Sequence, residues 1–324
     1  MVSDIKFSAV IITKDEEKNI YDCISSIIES IDELIIYDTG STDSTISLAR
    51  NYPSDKVLIY QGSWNNSFSE ARNAAIDYCS NEWIIFIDAD ERLIDDPNNS
   101  IRNSIHRYLV NGEDYSLGCP RIISESRITH SLIRILPNNG KHRFHGRVHE
   151  YIEARSATVK KLPITFTHSG YDKSTTHFQY KSERNLKLLT MQHREEPSNA
   201  RWLYYYLLYD NNCTPVSERI QLSKRLASSA LTPDIYSHSA YSLLISLLLN
   251  NNEIDRVLTE SLECLNRHKC HFDAQFFNIL QRFEGNLERE FETELEDFLA
   301  KNEPEETSFL TKKICKEIAR SIEM

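Results

Sequence analysis

The sequence lacks any apolar run long enough to cross a membrane. A transmembrane helix needs roughly 18 apolar residues in succession, and the nearest candidate, "YSLLISLLL" at 241–249, is too short. The N-terminus also lacks a basic segment followed by a long apolar core, so no signal peptide is expected. We therefore expect a cytoplasmic protein without a membrane span.

Paired cysteines and excess positive charge are absent as well. The 7 cysteines form an odd, scattered set without a C-x-x-C pair, which favours reduced, mostly buried thiols. With 37 basic and 48 acidic residues, the formal net charge is −11. An acidic protein repels the phosphates of nucleic acids and anionic membranes, so we expect no nucleic-acid partner.

What the N-terminal part does contain is a regular alternation of strands and helices. Short β-branched apolar runs predict strands at 7–13, 33–37, 56–60 and 82–87. Segments with apolar residues at helical spacing or with a capping residue lie between them, at 16–31, 45–52 and 66–80. This order predicts an α/β fold with a mostly parallel sheet and helices on both faces.

The pattern changes after about residue 100. Short strands separated by turns are predicted at 115–123, 130–138, 144–152 and 163–171, where they would extend the sheet or flank the cleft. From about residue 181 onward the segments have helical spacing, with a loose repeat. We therefore expect a sheet domain at 1–180 and an all-α helical-repeat domain at 181–324.

Polar clusters follow three of the predicted strands. They are Thr13–Glu16 after the first strand, Asp38–Ser41 after the second and Asp88–Glu91 after the fourth. Ligands of such sheets bind at the carboxyl ends of the strands. Because parallel strands end at the same edge, all three clusters should open onto one site.

The acidic cluster of this site needs a physical explanation. Its carboxylates repel one another, so they require a cation, a shared proton or open water. In an extended backbone Asp88 and Asp90 point the same way and can aim at one ligand. A hard divalent cation shared with diphosphate oxygens would relieve the repulsion, whereas Glu91 is also suited to capping the following turn.

Three histidines in "HRFHGRVHE" at 142–150 raise the question of a zinc site. Their spacing suits neither one face of a strand nor a helix interrupted by Gly146. A zinc site is therefore not expected here.

Several motifs carry a resemblance to a known family. They are "VIITKDEEKNI", "DELIIYDTGSTDST", "WNNSFSEARNAA", "EWIIFIDADERL", "FHGRVHE" and "THSGYDKSTTHFQYKSERNLKLL". Within residues 5–190 they resemble the family 2 glycosyltransferases, which have the Rossmann-like GT-A fold. With a helical tail that looks tetratricopeptide-like, the chain is similar to the peptide S- and O-glycosyltransferases of glycocin biosynthesis.

The resemblance implies a UDP-sugar site with Mg²⁺ or Mn²⁺ as cofactor. Carried over to this sequence, the implied UDP-sugar contacts are Thr13, Lys14, Glu16, Asp38, Gly40, Ser41, Arg72, Asp88, Ala89 and Tyr171. The implied metal ligands are Asp90, His168 and Asp88, with Asp90 as the direct ligand and Asp88 leaning toward the ribose.

The catalytic base is implied at the end of "FHGRVHE", beside the acceptor nucleophile. Glu150 is the first choice and His149 the second. Structural alternatives stay open for other members of the set: Asp38 could cap its turn, Arg72 could form a salt bridge, and His168 could pack in the core.

The implied function is the inverting transfer of a hexose, of the glucose or N-acetylglucosamine type, from a UDP-sugar to a Cys, Ser or Thr of a peptide. The peptide would be a glycocin (bacteriocin) precursor, and the helical domain would bind the acceptor or form a homodimer. One alternative keeps the chemistry but acts on a glycolipid or surface polysaccharide. Another is a non-catalytic helical-repeat interaction protein with a degenerate nucleotide-binding domain.

Overall fold

The computed structural model describes residues 5–94, 100–111, 114–124, 127–129, 132–154, 157–168, 175–210, 213–282, 288–305 and 308–316. The chain divides into two compact units, Met1–Arg184 and Asn185–Met324. The strands lie in the first unit, and the described part of the second unit is helical.

The strands are short and mostly apolar. They are β1 (Phe7–Thr13), β2 (Glu33–Asp38), β3 (Val57–Gln61), β4 (Trp83–Phe86), β5 (Glu91–Leu93), β6 (Val110–Asn111), β7 (Asp114–Tyr115), β8 (Leu117–Ser124), β9 (Arg127–Thr129), β10 (Ile135–Pro137), β11 (Phe144–His145), β12 (Tyr151–Ile152) and β13 (Val159–His168).

The helices follow the strands in the first unit and fill the second. They are α1 (Ile20–Ile27), α2 (Thr45–Arg50), α3 (Phe68–Ile76), α4 (Ser100–Ser104), α5 (Thr175–Glu195), α6 (Ala200–Tyr209), α7 (Val216–Ser228), α8 (Asp234–Asn250), α9 (Ile254–Arg267), α10 (Phe272–Arg282) and α11 (Glu288–Lys301). A 3₁₀ turn at Ile28–Ser30 and a π-helical turn at Ile105–Leu109 extend α1 and α4.

The main sheet has the strand order β3-β2-β1-β4-β10-β8-β13-β5, with β9 paired to β8. Strands β1 to β4 run parallel where they pair, and so do β8 and β13. Strand β10 is antiparallel to both β4 and β8 and therefore joins the two parallel groups. The sheet is thus mixed.

Helices cover both faces of this sheet. Ile11 of β1 belongs to the same apolar cluster as Ile24 of α1, whereas the neighbouring Val10 belongs to a cluster with Ala75 of α3. Adjacent residues of a strand point to opposite faces, so α1 and α3 lie on opposite faces. The predicted fold class, a GT-A-like mixed sheet followed by a helical region, is confirmed.

Two local predictions are wrong. Residues 144–152 do not form one strand, because β11 and β12 run antiparallel and pair Phe144 with Ile152. Between them Gly146 has a φ of 99° and His149 a φ of 51°, a left-handed backbone that a strand cannot contain. The predicted helix at 16–31 begins only at Ile20, because the segment before it bonds to the loop after β2.

The second unit has an apolar core of its own. Helix α7 packs on α6 and α8, α9 packs on α8 and α10, and α11 packs on α10. The buried carboxylate of Asp273 accepts the backbone N–H groups of Phe309 and Leu310 at 2.9 and 3.0 Å, which ties the last described segment to α10. Within the described ranges, no helix has the length and apolar character needed to cross a bilayer.

Candidate active site

The turn after β4 carries the acidic cluster. Strand β4 ends at Phe86, and the N–H of Glu91 donates to the carbonyl oxygen of Asp88 at 2.9 Å. In return, the Asp88 N–H donates to Oε2 of Glu91, also at 2.9 Å. Glu91 is only 2% exposed. Its carboxylate therefore closes the turn, as the capping interpretation expects.

Two arginines bind the carboxylate of Asp88. Arg72 Nη2 donates to Oδ1 at 3.0 Å, and Arg134 donates to Oδ1 at 3.0 Å and to Oδ2 at 2.6 Å. Burial opposes ionisation of Asp88, but Arg134 and Arg72 outweigh it and hold the pKa of its carboxyl well below the usual range. Guanidinium groups thus relieve the repulsion around Asp88.

Asp90 faces a different partner. Its Oδ2 lies 3.3 Å from Nε2 of His168, and residue 168 pairs with Glu91 across β5 and β13. The backbone turns at residues 89 and 90 and is not extended as expected, so the reason for aiming Asp88 and Asp90 at one ligand does not hold. Asp88 as a metal ligand stays a prediction. The structure brings Asp90 and His168 together and leaves Asp88 among the arginines.

Asp90 and His168 are the part of the site suited to a metal ion. Carboxylate oxygen and imidazole nitrogen are both metal ligands, and these side chains are 14% and 23% exposed. Over the described residues, no group of three or more His, Cys, Asp or Glu side chains could hold a metal ion. A dication held by this pair would need its remaining ligands from a diphosphate and water.

Arg72 connects the acidic turn to the predicted base. It lies on α3, whose first turn is capped by Ser67 Oγ, which accepts the N–H of Glu70 at 3.2 Å. The Nε of Arg72 donates to Oε1 of Glu150 at 2.8 Å, while Nη2 holds Asp88. Both ion pairs match the salt-bridge alternative for Arg72.

The guanidinium of Arg72 is itself held firmly. It lies over the rings of Phe86 and Phe144, at 5.3 and 5.4 Å from their centroids, and the side chain is 8% exposed. Its Nη1 is buried and has no hydrogen-bond partner among the described residues. Contact between this nitrogen and a nucleotide stays a prediction. His149, the second candidate base, directly precedes Glu150.

Arg134 is the site residue that sequence analysis missed. It precedes β10, is 8% exposed in its side chain, and also contacts Glu91 at 3.3 Å. Burial raises the pKa of Glu91 to about 7, although the positive charge of Arg134 lowers it. The negative charge of Asp88 contributes to the increase. The available signal was a single arginine within the apolar run "LIRIL", since a buried guanidinium needs carboxylate partners.

The ends of β1 and β2 lie side by side, with Thr13 and Asp38 as register partners. The Asp38 carboxylate accepts the N–H groups of Gly40 at 3.2 Å and Ser41 at 3.1 Å, which is the capping alternative for this residue. Gly40 has a φ of 107°, a conformation that favours glycine. Thr13 Oγ1 is buried and unpaired within the described chain, which leaves it available to a ligand.

The loops after β1 and β2 are bonded to each other. The Asp15 N–H donates to Ser41 Oγ at 2.9 Å, and the Glu16 N–H donates to Thr45 Oγ1 at 2.7 Å. Lys14, which directly precedes Asp15, has an exposed side chain. The first two polar clusters therefore form one surface before any ligand binds.

Two predicted contacts remain. Ala89 is buried in the turn, and its carbonyl oxygen accepts Arg92 Nη1 at 3.0 Å. Tyr171 lies outside the described residues.

Comparison of the sequence with known protein families identifies the family of this chain. The model of glycosyl transferase family 2 matches residues 8–171, half of the chain. The chain belongs to glycosyl transferase family 2. The resemblance inferred from the sequence motifs is thereby confirmed.

Relatives of this family 2 chain differ in how much of it they match. The SPbeta prophage-derived glycosyltransferase SunS of Bacillus subtilis is 33% identical over 261 residues, which are 76% of this chain and 60% of SunS. This chain therefore spans less than two thirds of that relative. The lipopolysaccharide core biosynthesis glycosyltransferase LpsC of Rhizobium meliloti is 35% identical over 95 residues, 29% of this chain and 34% of LpsC.

Among solved structures, the crystal structure of S. aureus TarS 1–349 covers 88% of this chain and 93% of its own. The two chains are 13% identical, with a TM-score of 0.43.

Proposed function

We propose that this chain is a metal-dependent, inverting glycosyltransferase. It moves a hexose, of the glucose or N-acetylglucosamine type, from a UDP-sugar to a Cys, Ser or Thr side chain of a peptide. The observation that carries the proposal is that Arg72 links Glu150 to Asp88. A carboxylate base thus stands beside the turn that bears Asp90, in a chain of this family.

The donor nucleotide is assigned to the interlocked loops after β1 and β2. Thr13 has a buried hydroxyl there without a partner among the described residues. The Asp15 N–H bond to Ser41 Oγ holds the loop that carries Lys14 and Glu16 beside the Asp38–Ser41 turn. Asp88 is assigned to the ribose side of the donor, because its arginine partners hold it ionised as a hydrogen-bond acceptor.

The diphosphate is assigned to the surface beside Asp90 and His168. This pair would hold Mg²⁺ or Mn²⁺, which would neutralise the charge that develops on the departing UDP. Asp90 supplies the carboxylate oxygen and His168 the imidazole nitrogen. The turn is closed by hydrogen bonds between Asp88 and Glu91, and Glu91 pairs with His168 of β13, so Asp90 is held beside that strand.

The acceptor step uses Glu150 as base. Its carboxylate takes the proton of the acceptor thiol or hydroxyl while the acceptor atom bonds to the anomeric carbon of the sugar. The bond from that carbon to the diphosphate oxygen breaks, and UDP leaves with the electron pair. Attack opposite the leaving group inverts the anomeric centre. A thiol has a pKa near 8.5 and needs less help from the base than a hydroxyl does.

A peptide acceptor is supported by the sequence motifs, which resemble the peptide S- and O-glycosyltransferases of glycocin biosynthesis, together with the long match to the glycosyltransferase SunS. We accordingly assign a bacteriocin precursor as the acceptor. The unit Asn185–Met324 is assigned to acceptor binding or self-association, because stacked helices of tetratricopeptide type form surfaces suited to extended chains.

A glycolipid or polysaccharide acceptor is the second candidate. The observation that favours it is the shorter match to LpsC. Transfer to a lipid-linked saccharide but to no peptide would establish it.

The test is a transfer assay with UDP-glucose or UDP-N-acetylglucosamine, Mn²⁺ or Mg²⁺, and a precursor peptide rich in Cys and Ser. We expect the peptide to gain the mass of one sugar and UDP to be released, with both signals lost on chelation and in Asp90→Ala. Asp77→Asn is the matched control, because that carboxylate is 65% exposed and its ion pair among the described residues is with Arg143 on the surface. Full activity of Asp90→Ala would remove the metal assignment.

A further inference from the structure

We propose that Arg72 is the positioning residue for Glu150, an inference that rests on the proposed function. Glu150 accepts the Arg72 Nε–H at 2.8 Å through Oε1 and makes no other hydrogen bond within the described part of the chain. The orientation of this carboxylate therefore depends on one side chain, and Oε2 is the oxygen left to take the acceptor proton.

Arg72 is suited to this task because several groups hold its guanidinium in place. Asp88 fixes one end of its guanidinium at 3.0 Å, and the rings of Phe86 and Phe144 cover it. A guanidinium presents its N–H groups in a rigid plane, whereas an ammonium is a point charge on a flexible stem. The planar fork can hold Asp88 and Glu150 at once in one geometry.

The two buried arginines have separate tasks in this arrangement. Arg134 holds both carboxylate oxygens of Asp88 and also reaches Glu91, so Asp88 stays in place without Arg72. Of the residues that the structure describes, Arg72 alone donates to Glu150. Loss of Arg72 should therefore impair the acceptor step and spare the donor site, whereas a nucleotide contact through Nη1 would impair UDP binding.

The experiment is a double-mutant cycle of Arg72→Gln and Glu150→Gln. Peptide-transfer kcat is measured together with the UDP dissociation constant from calorimetry. We expect Glu150→Gln to lower kcat by about 10²–10⁴-fold and Arg72→Gln by about 10²-fold, the usual effect of a misplaced catalytic group. In the double variant kcat should fall no more than about threefold below Glu150→Gln, because residues that act as a unit are not additive.

UDP affinity should stay within about threefold of the wild type in each variant, because Arg134 still holds Asp88. Arg72→Lys keeps the buried charge and provides the test if Arg72→Gln does not fold; its kcat should also fall, since one ammonium cannot hold both carboxylates. Arg143→Gln is the matched control with unchanged kcat, because Arg143 also bonds α3 but is 43% exposed and pairs with Asp77.

Other results would overturn the inference. Losses that multiply in the double variant would mean that Arg72 acts apart from Glu150. A tenfold or larger loss of UDP affinity with kcat retained would assign Arg72 to the nucleotide. If the wild type transfers sugar and Arg72→Gln transfers it equally well, this inference is overturned and the proposed function stands. If the wild type shows no transfer at all, the proposed function and this inference are both overturned.

Discussion

Replacing Arg134 with methionine would remove a cation that two carboxylates share. Methionine approximates the apolar stem of arginine, so the main change is the loss of charge. The buried guanidinium makes three hydrogen bonds of 2.6 to 3.3 Å to Asp88 and Glu91. The substitution should therefore destabilise the unit Met1–Arg184, even though Arg134 lies outside every motif of the sequence.

The size of the loss in unfolding free energy depends on the interactions that Asp88 and Glu91 keep in the variant. Breaking a buried ion pair costs about 3–5 kcal/mol. Two features reduce this cost, because Arg72 still donates to Asp88 at 3.0 Å and Glu91, with its pKa raised to about 7, already holds a proton part of the time at neutral pH. We expect the free energy of unfolding to fall by about 2–4 kcal/mol at pH 7.

This loss should grow above pH 7. The pKa of Glu91 is raised on folding from 4.5 to about 7, so its contribution to stability is full below pH 4.5 and is lost as the pH rises through 7. Without Arg134 the main group that opposes the effect of burial is gone, and the pKa of Glu91 rises further. For each pH unit above 7, the free energy of unfolding of the variant then falls by up to about 1.4 kcal/mol more than that of the wild type.

The assay is urea unfolding at pH 7 and at about pH 8.5, followed by tryptophan fluorescence. A Trp202→Phe background silences the tryptophan of the second unit, which leaves Trp64 and the buried Trp83 to report on the first. Adding Glu91→Gln should make the loss independent of pH. A loss below about 0.5 kcal/mol, or one that is equal at both pH values, would refute the reasoning.

The remaining predictions concern other parts of the chain. Burial lowers the pKa of His271 to about 4, and the neighbouring ring of His238 adds to this effect. As the pH falls below 6.5, His271 is therefore protonated in the unfolded chain before it is protonated in the folded one. Urea unfolding should show the second unit losing up to about 3 kcal/mol towards pH 4, whereas a His271→Asn variant that keeps this slope would contradict the assignment. Asp38→Ala removes the acceptor of the turn amides and should weaken UDP binding about tenfold in calorimetry; unchanged affinity would place the nucleotide elsewhere. Ser67→Ala should cost about 1 kcal/mol in unfolding free energy, because α3 loses its N-cap bond to Glu70, and an unchanged midpoint would show that the cap contributes nothing.

Much of the first unit could be predicted because it depends on local patterns. Strand β1 has the bounds predicted for it, β2 ends one residue later than predicted, and β3 is shifted by one residue at both ends, since short β-branched runs specify buried strands directly. The polar clusters at the ends of these strands were visible for the same reason. Strand β5 was not predicted, because three residues in a charged segment carry no strand pattern.

The partners of each charged side chain could not be predicted in this way. Arg134 is 46 residues from Asp88 in sequence, and it reaches the acidic turn only because β10 enters the sheet antiparallel beside β4. Arg72 is likewise 78 residues from Glu150. A period of two or of 3.6 residues records which face of an element is buried, but it records nothing about which distant element packs there.

The sequence by itself determined the order of the first four strands and the helices between them, the edge at which polar residues gather, and the family. Only the tertiary structure decided that Asp88 pairs with arginines while Asp90 meets His168, and that Arg72 joins the acidic turn to Glu150. The physical reason is that burial patterns are local and written in the residue order. The pairing of buried charges depends instead on long-range contacts, which exist only once the sheet has assembled.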